Sequence, residues 1–231
     1  MRMISWEKLP PQMQTEAVKP YYEILQKKQI GLIFKRSFDI VVSLIMLLIL
    51  SPVFLVLAIA IKLDSKGPVF YRQVRVTQYG KEFRIFKFRT MVNNADKIGS
   101  QVTVGGDNRI TRVGKVIREC RLDEIGQLLN ILGGSMTFVG TRPEVPKYVE
   151  KYTSEMWATL LLPAGVTSEA SIRYKDEAAL LDAAEDVDAT YIQDVLPGKM
   201  KYNLRSIQEY SFFKDIETMF QTVFAVVEKN S

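Results

Sequence analysis

The pattern of apolar and polar positions is dominated by residues 40–61, IVVSLIMLLILSPVFLVLAIAI, a run of 22 residues without a charge. As a straight helix at ~1.5 Å per residue it would be roughly 33 Å long, close to the hydrocarbon thickness of a bilayer. Its middle reads Ser51-Pro52. A proline inside a helix removes one backbone donor and crowds the carbonyl four residues back, and the freed carbonyl then needs a serine hydroxyl, a neighbouring segment or water. Lys35 and Arg36 precede the run, and Lys62 and Lys66 follow it. A simple span keeps its basic flanks on one side. The predicted element is therefore a re-entrant helix over 34–62 that enters the membrane, breaks at Ser51-Pro52 and returns to the same face. A kinked single span and a buried core helix are the alternatives. A cleaved signal peptide is not the expected reading, because the run starts far from Met1, is too long for an h-region, and lacks a small-residue cleavage site.

The rest of the chain alternates between other periods. Residues 1–33 carry a loop at LPPQ (9–12) and then a short amphipathic helix with Tyr22, Leu25 and Ile30 on its apolar side. This extension is read as an interfacial helix or as packing on the body. Asp39 is a lone acid at the entry to the long run, a cap or a partner for Arg36. VFYRQVRV and KEFRIFKFRT alternate with period 2 around Gln78-Tyr79-Gly80, which predicts a β-hairpin. Residues 93–110 are a polar, glycine-containing loop suited to covering a site. TRVGKVIRECRLDEIGQLLNILGG reads as helix, break, helix, ending at Gly133-Gly134. Residues 176–195 are acidic and helix-prone, a packing helix. The C-terminal segment places Phe213, Ile216, Phe220, Phe224 and Val227 on one stripe, read as core-facing, with the membrane surface as the alternative. The predicted fold is α/β: a mostly helical membrane-surface body over 63–231 with a short β-hairpin, preceded by the Ser-Pro-broken membrane helix.

Composition sharpens this. The 231 residues suit one domain plus a membrane element, and the mean hydropathy of +0.01 is high for a soluble chain but low for a multi-span one. Residues 62–121 hold 14 Lys/Arg against 5 acids, an excess of +9 where the whole chain has +5. A basic face beside a membrane element points to phosphates, in headgroups or in a substrate. No nucleic-acid-binding motif accompanies it. The single cysteine, Cys120, excludes an intrachain disulfide. The chain has no histidine, which removes Ser-His-Asp and Cys-His nucleophile systems and HExxH zinc sites. Catalysis falls to carboxylates, lysine, arginine or hydroxyls, and any metal should be hard and oxygen-bound, such as Mg2+.

Asp123-Glu124 stands at the start of the second helix of that segment, where an acid caps free N–H groups and suits the dipole. Adjacent helical residues diverge by about 100°, so the pair shares a site most easily in the first turn. There one carboxylate can bind metal or attack phosphorus while the other orients it. Arg118 and Arg121 lie close enough in sequence to balance a phosphate. A capping acid followed by a solvated glutamate is the plain alternative. Gly140-Thr141-Arg142-Pro143 is a constrained turn that presents an arginine, with Glu144 beside it.

KRSFDIVVSLIMLLILSPVF, VFYRQVRV, GKEFRIFKFRTM, RLDEIGQLLNIL and GSMTFVGTRPE occur in one order. Together they resemble the bacterial sugar transferase family, the monotopic polyprenyl-phosphate phosphoglycosyl transferases, in the small form with the catalytic domain alone. The resemblance covers residues 34–165, with a weaker match through YNLRSIQEYSFFKDIETMF. It implies a monotopic enzyme on the cytoplasmic face of the bacterial inner membrane that transfers phospho-sugar from a UDP-sugar to polyprenyl (undecaprenyl) phosphate, releasing UMP. That is a first membrane step in making exopolysaccharide, capsule, O-antigen or glycoprotein glycan. By resemblance Asp123 is the nucleophile, and Glu124 positions Mg2+ or assists deprotonation, both carboxylates being metal ligands. Arg118 and Arg142 match phosphate-handling arginines, Lys87 or Arg89 a basic residue near the carboxylates, and Ser51-Pro52 the break in the re-entrant helix. Arg75 on the basic hairpin joins the phosphate-binding set. Membrane lipid is a partner, and a homo-oligomer and downstream glycosyltransferases are further ones.

Two departures stand out. Gly140-Thr141-Arg142-Pro143 replaces the Gly-Pro-Arg-Pro of many members. Residues 163–175 read PAGVTSEASIRYK, with Ser168-Glu169 where a Gly-Trp is common, leaving Arg173 and Lys175 as the cations of a segment expected to shape the sugar site. The competing reading from another class is a non-catalytic, membrane-anchored scaffold that grips anionic lipid.

Overall fold

The computed structural model of the chain describes residues 1–95, 108–175, 177, 181 and 186–228. Most of the 93–110 loop and much of the acidic 176–195 stretch lie outside the described residues. Helix α1 spans Lys19–Lys27 and α2 spans Gln29–Asp64, 36 residues assigned as one helix through Pro52. Proline has no N–H to offer the Leu48 carbonyl four residues back. The Ser51 hydroxyl donates to that same carbonyl at 2.8 Å. The helix runs through Ser51-Pro52 with the serine hydroxyl taking the carbonyl that proline leaves free, one of the partners expected there, and the element is longer at both ends than 34–62.

Only one face of α2 packs. Phe38, Val42, Leu47 and Leu50 lie against a cluster built on Leu128, Ile131, Met136 and Phe138. Further along, Val53, Phe54, Leu57 and Ile61 lie against Phe88 and Ile117. On the other face Val41, Leu44, Ile45, Leu48, Ile49, Leu55, Val56 and Ile59 remain 48–70% exposed. In the most apolar 18-residue window 11% is buried, which rules out the core-helix alternative.

Charged side chains fix both ends of the helix to the body. Lys35 and Asp39, one turn apart and buried, face β5 (Met136–Val139). Lys35 Nζ donates to Val139 O at 2.7 Å and to Asp215 Oδ2 at 2.6 Å. Asp39 accepts from Thr137 Oγ1 at 2.8 Å and Phe138 N at 3.2 Å. Asp39 is therefore neither a cap nor a partner of Arg36. Arg36 instead donates to Ile131 O at 2.6 Å and Leu132 O at 3.0 Å, at the end of α4 (Gln127–Gly133). At the far end Asp64 Oδ2 accepts from Val113 N at 3.1 Å, in the first turn of α3 (Arg112–Glu119).

The predicted hairpin forms as two antiparallel ladders. β1 (Phe70–Tyr71) pairs with β4 (Lys87–Phe88), β2 (Val74–Val76) pairs with β3 (Glu82–Arg84), and Gln78–Gly80 makes the turn. A parallel pair, β5 with β6 (Ala164–Thr167), carries no alternating signal and is absent from the sequence reading. Four short helices follow from the remaining segments: α5 (Pro146–Val149), α6 (Glu169–Arg173), α7 (Val187–Thr190) and α8 (Leu196–Gln208). The extension packs on the body, with Met13, Val18, Tyr22 and Leu25 in one core with Tyr148, Leu161 and Met200. Helix α9 (Phe212–Glu228) departs from the core-facing expectation. Phe213 is 81% exposed and Phe220 and Phe224 are more than half exposed, while Met219 turns inward.

Lys35 is 4% and Asp215 17% exposed at the side chain, so removing the lysine strands a buried acid. Lys35→Met should cost roughly 3–5 kcal/mol and lower the thermal unfolding midpoint in detergent. Lys214→Met, which breaks the exposed Lys214–Glu209 pair, should leave it unchanged.

Candidate active site

The break between α3 and α4 sets the site. Arg121 sits in the left-handed region at φ 53°, and Leu122–Gly126 form a 3-10 turn before α4 begins. This turn carries Asp123 and Glu124 half-buried beside the hairpin. In β4, Phe88 enters the core and the neighbouring Lys87 points the opposite way, as period 2 requires. Lys87 Nζ reaches Glu124 Oε1 at 2.8 Å. Asn130 holds this register: its Oδ1 accepts from Phe86 N at 2.7 Å and its Nδ2 donates to Arg84 O at 3.1 Å.

Arg142 arrives from the other side. Gly140 N donates to Thr167 O at 2.9 Å and Gly165 N to Thr141 O at 2.8 Å, closing the turn after β5 onto β6. The backbones approach so closely that a Cβ on Gly165 would stand 2.2 Å from Gly140 N. The turn delivers Arg142 NH2 to Glu124 Oε1 at 2.5 Å. One carboxylate oxygen therefore receives both cations. Arg118 is aimed by Thr90, whose Oγ1 accepts from Arg118 Nε at 2.8 Å. Helix α3 sits tight on that strand end, since a Cβ on Gly114 would lie 2.0 Å from Thr90 O.

The two acids differ in charge state. Burial opposes ionisation of Glu124, but Arg142 and then Lys87, with their hydrogen bonds, hold its carboxyl well below the usual range. Asp123 is shifted the other way. Burial pushes it up, Glu124 adds to the rise, and Lys87 and Arg118 pull it down without cancelling it. Among the described residues no side chain hydrogen-bonds the Asp123 carboxylate. The result is a clamped glutamate beside a less acidic, unclamped aspartate within a ring of cations.

The other expected residues fall elsewhere. Arg89 is buried and donates to Lys66 O at 2.6 Å, Ser65 O at 2.8 Å and Ile61 O at 3.4 Å. It ties off the C-terminal end of α2, and of the two hairpin cations Lys87 is the one at the carboxylates. Arg75 is held by Gln73 Oε1 and by Pro143 O at 3.0 Å, next to Arg142 rather than to Asp123. Arg173 pairs with Glu169 at 3.6 Å on the surface, and Lys175 is exposed. Thr90 and Asn130 were not singled out in the sequence. Asn130 carried a signal, a polar residue inside the run of leucines in α4, whereas Thr90 had none.

No group of three or more His, Cys, Asp or Glu able to hold a metal occurs among the described residues. Mg2+, however, usually binds one or two carboxylates and takes its other ligands from phosphates and water. Asp123 and Oε2 of Glu124, free of side-chain hydrogen bonds among the described residues, are a hard donor pair that fits such an ion.

The opposed shifts can be read directly. In 13C NMR of carboxyl-labelled protein, Asp123 should titrate above the ordinary aspartate range. Lys87→Met removes a cation that favours its ionised form and should raise that value further. Glu124→Gln removes a like charge and should lower it. Movement in the same direction in both variants would contradict this electrostatic account.

The family model for bacterial sugar transferases matches residues 30–229. The chain is 35% identical over 197 residues to the UDP-N-acetylgalactosamine-undecaprenyl-phosphate N-acetylgalactosaminephosphotransferase of Aeromonas hydrophila, covering 84% of this chain and 43% of that protein. It is 37% identical over 201 residues to the UDP-glucose:undecaprenyl-phosphate glucose-1-phosphate transferase of Klebsiella pneumoniae, covering 84% and 40%. The chain thus spans about two fifths of the length of these two relatives. A shorter relative, the exopolysaccharide production protein ExoY of Sinorhizobium fredii, is 31% identical over 214 residues, covering 86% of this chain and 88% of its own length. With the match running through α2, the carboxylate turn and the Arg142 loop, the chain belongs to the bacterial sugar transferase family.

Proposed function

We propose that the chain transfers a sugar 1-phosphate from a UDP-sugar to a polyprenyl phosphate, undecaprenyl phosphate by analogy with its relatives, and releases UMP. The observation that carries this reading is the Asp123–Glu124 pair, one acid clamped by Lys87 and Arg142 and the other left for chemistry. Asp123 attacks the sugar-bearing phosphorus, the bond to the bridging oxygen breaks, and UMP leaves with that oxygen. An oxygen of the polyprenyl phosphate then attacks the same phosphorus and frees Asp123, giving polyprenyl-diphospho-sugar. Arg118, Lys87 and Arg142 balance the diphosphate charge. Glu124 keeps the two cations in place and stays ionised while Asp123 reacts. Magnesium held by Asp123 and Glu124 would supply charge neutralisation at the diphosphate.

The membrane reading follows from α2. Both of its ends dock on one body, through Lys35, Arg36 and Asp39 at the start and through Ile61 and Asp64 at the finish. The exposed apolar face lies between them. This favours a helix that occupies one leaflet and returns to the cytoplasmic face, with the site at headgroup depth, over a helix that crosses. Polysaccharide biosynthesis at the bacterial inner membrane is the matching role.

Two experiments test this. With UDP-sugars and undecaprenyl phosphate, Asp123→Asn should lower UMP release by about 10³–10⁶-fold and Arg142→Met by about 10²–10³-fold. Full activity in Asp123→Asn would refute the covalent route. For topology, single cysteines replacing Lys28 and Ser65 in a Cys120→Ser background should both escape an impermeant maleimide in intact spheroplasts and both react after lysis. Labelling of one site alone from outside would mean that α2 crosses.

A further inference from the structure

A cavity of about 190 Å3 shares Arg142 with the carboxylate cluster. Gln73, Arg75, Glu144, Tyr148, Tyr191 and Lys199 line it. Its wall is a buried ionic network. Tyr191 Oη donates to Glu144 Oε1 at 2.6 Å and accepts from Lys199 Nζ at 3.2 Å. Lys199 also reaches Glu177 at 3.0 Å and Glu144 at 3.7 Å. Glu144, Tyr191 and Lys199 are each 4–6% exposed. Such networks seldom stabilise a fold better than apolar packing would, so their presence needs another reason. Tyr191 also opens a π-helical turn, Tyr191–Val195, between α7 and α8, a helix defect that recurs at functional sites.

We propose that this cavity receives the hexose ring of the nucleotide-sugar donor and sets which sugar is accepted, a reading that rests on the phospho-sugar transfer proposed above. Size limits the occupant: 190 Å3 lies below the ~300 Å3 at which pockets for drug-sized molecules begin. It has room for one ring of the donor and not for the whole. The lining then separates the sugar from the base. A sugar presents hydroxyls that both donate and accept, and the wall offers carboxylate, amide, phenol, ammonium and guanidinium groups to meet them. A uracil gains most from stacking on an open aromatic face. Here the Tyr148 and Tyr191 rings lie against each other at 4.6 Å, and Lys199 stands 5.2 Å from the Tyr191 ring. Position agrees as well. The sugar is one oxygen away from the phosphorus under attack, and Arg142 touches both the cavity and Glu124.

The test compares donors with the bare nucleotide. UMP release is followed with UDP-glucose, UDP-galactose, UDP-N-acetylglucosamine and UDP-N-acetylgalactosamine, with UDP as competitive inhibitor, for wild type, Tyr191→Phe and Gln73→Leu. Both variants should lose about tenfold in kcat/KM for the preferred donor, and the gap between that donor and its C4 epimer should narrow. The Ki of UDP should stay within about twofold, because losing a sugar contact leaves the nucleotide site intact. Should Tyr191→Phe unfold more readily, Gln73→Leu at the rim carries the comparison. An equal loss for UDP and for the sugar nucleotides would place the nucleotide in the cavity and overturn the proposal. Unchanged donor preference in both variants would overturn it too. A wild-type protein that releases UMP from none of the four donors and binds no UDP would instead overturn the transfer reading itself.

Discussion

One turn of the apolar helix α2 anchors the strand that leads to Arg142. Lys35 and Asp39 bind three polar groups of β5: the Val139 carbonyl, the Thr137 hydroxyl and the Phe138 amide. Three residues beyond Val139 is Arg142, fixed by the close approach of Gly140 and Gly165 and aimed at Glu124. The apolar helix and the charged site are therefore parts of one rigid path. Because Lys35 and Asp39 are buried and partnered, displacement of the helix would strand them at a cost of several kcal/mol. That cost keeps the body in register with the apolar helix.

The site shows how neighbouring carboxylates of similar intrinsic acidity acquire different work. Both sit on one short turn, but only Glu124 lies between Lys87 and Arg142. It becomes a fixed anion that holds two cations in place. Asp123 shares the burial and the field without a side-chain hydrogen bond among the described residues, and its carboxyl is raised. A raised carboxyl pKa means a more basic carboxylate oxygen than that of its clamped neighbour. The absence of histidine is no handicap for such chemistry, because a carboxylate nucleophile needs no general base to deprotonate it.

Local signals made much of this legible in the sequence. The uncharged run, the period-2 hairpin and the helix–break–helix around Asp123 each follow from nearest-neighbour patterns, and they appear where expected. What failed depended on contacts far apart in the chain. Asp39 looked like a local cap because its partners lie about a hundred residues away on β5. The resemblance left Lys87 and Arg89 as alternatives beside the carboxylates, because sequence alone does not show that Arg89 is engaged by the carbonyls that end α2. The parallel pair of β5 and β6 is short and buried on both faces, so no alternation marks it. The aromatic stripe of α9 was read as core because its spacing is helical, yet periodicity cannot say which side of a helix meets the body. At Pro52 the local reading holds in one respect, since the Ser51 hydroxyl is the group that takes the Leu48 carbonyl.

The central claim is that Asp123 carries the phospho-sugar. Mass spectrometry of the purified protein after incubation with UDP-sugars and magnesium, without lipid acceptor, tests it most directly. The expected result is a phospho-sugar increment on the peptide containing Asp123, absent from Asp123→Asn and discharged by added polyprenyl phosphate. An increment on another peptide, or undiminished UMP release by Asp123→Asn, would contradict the account.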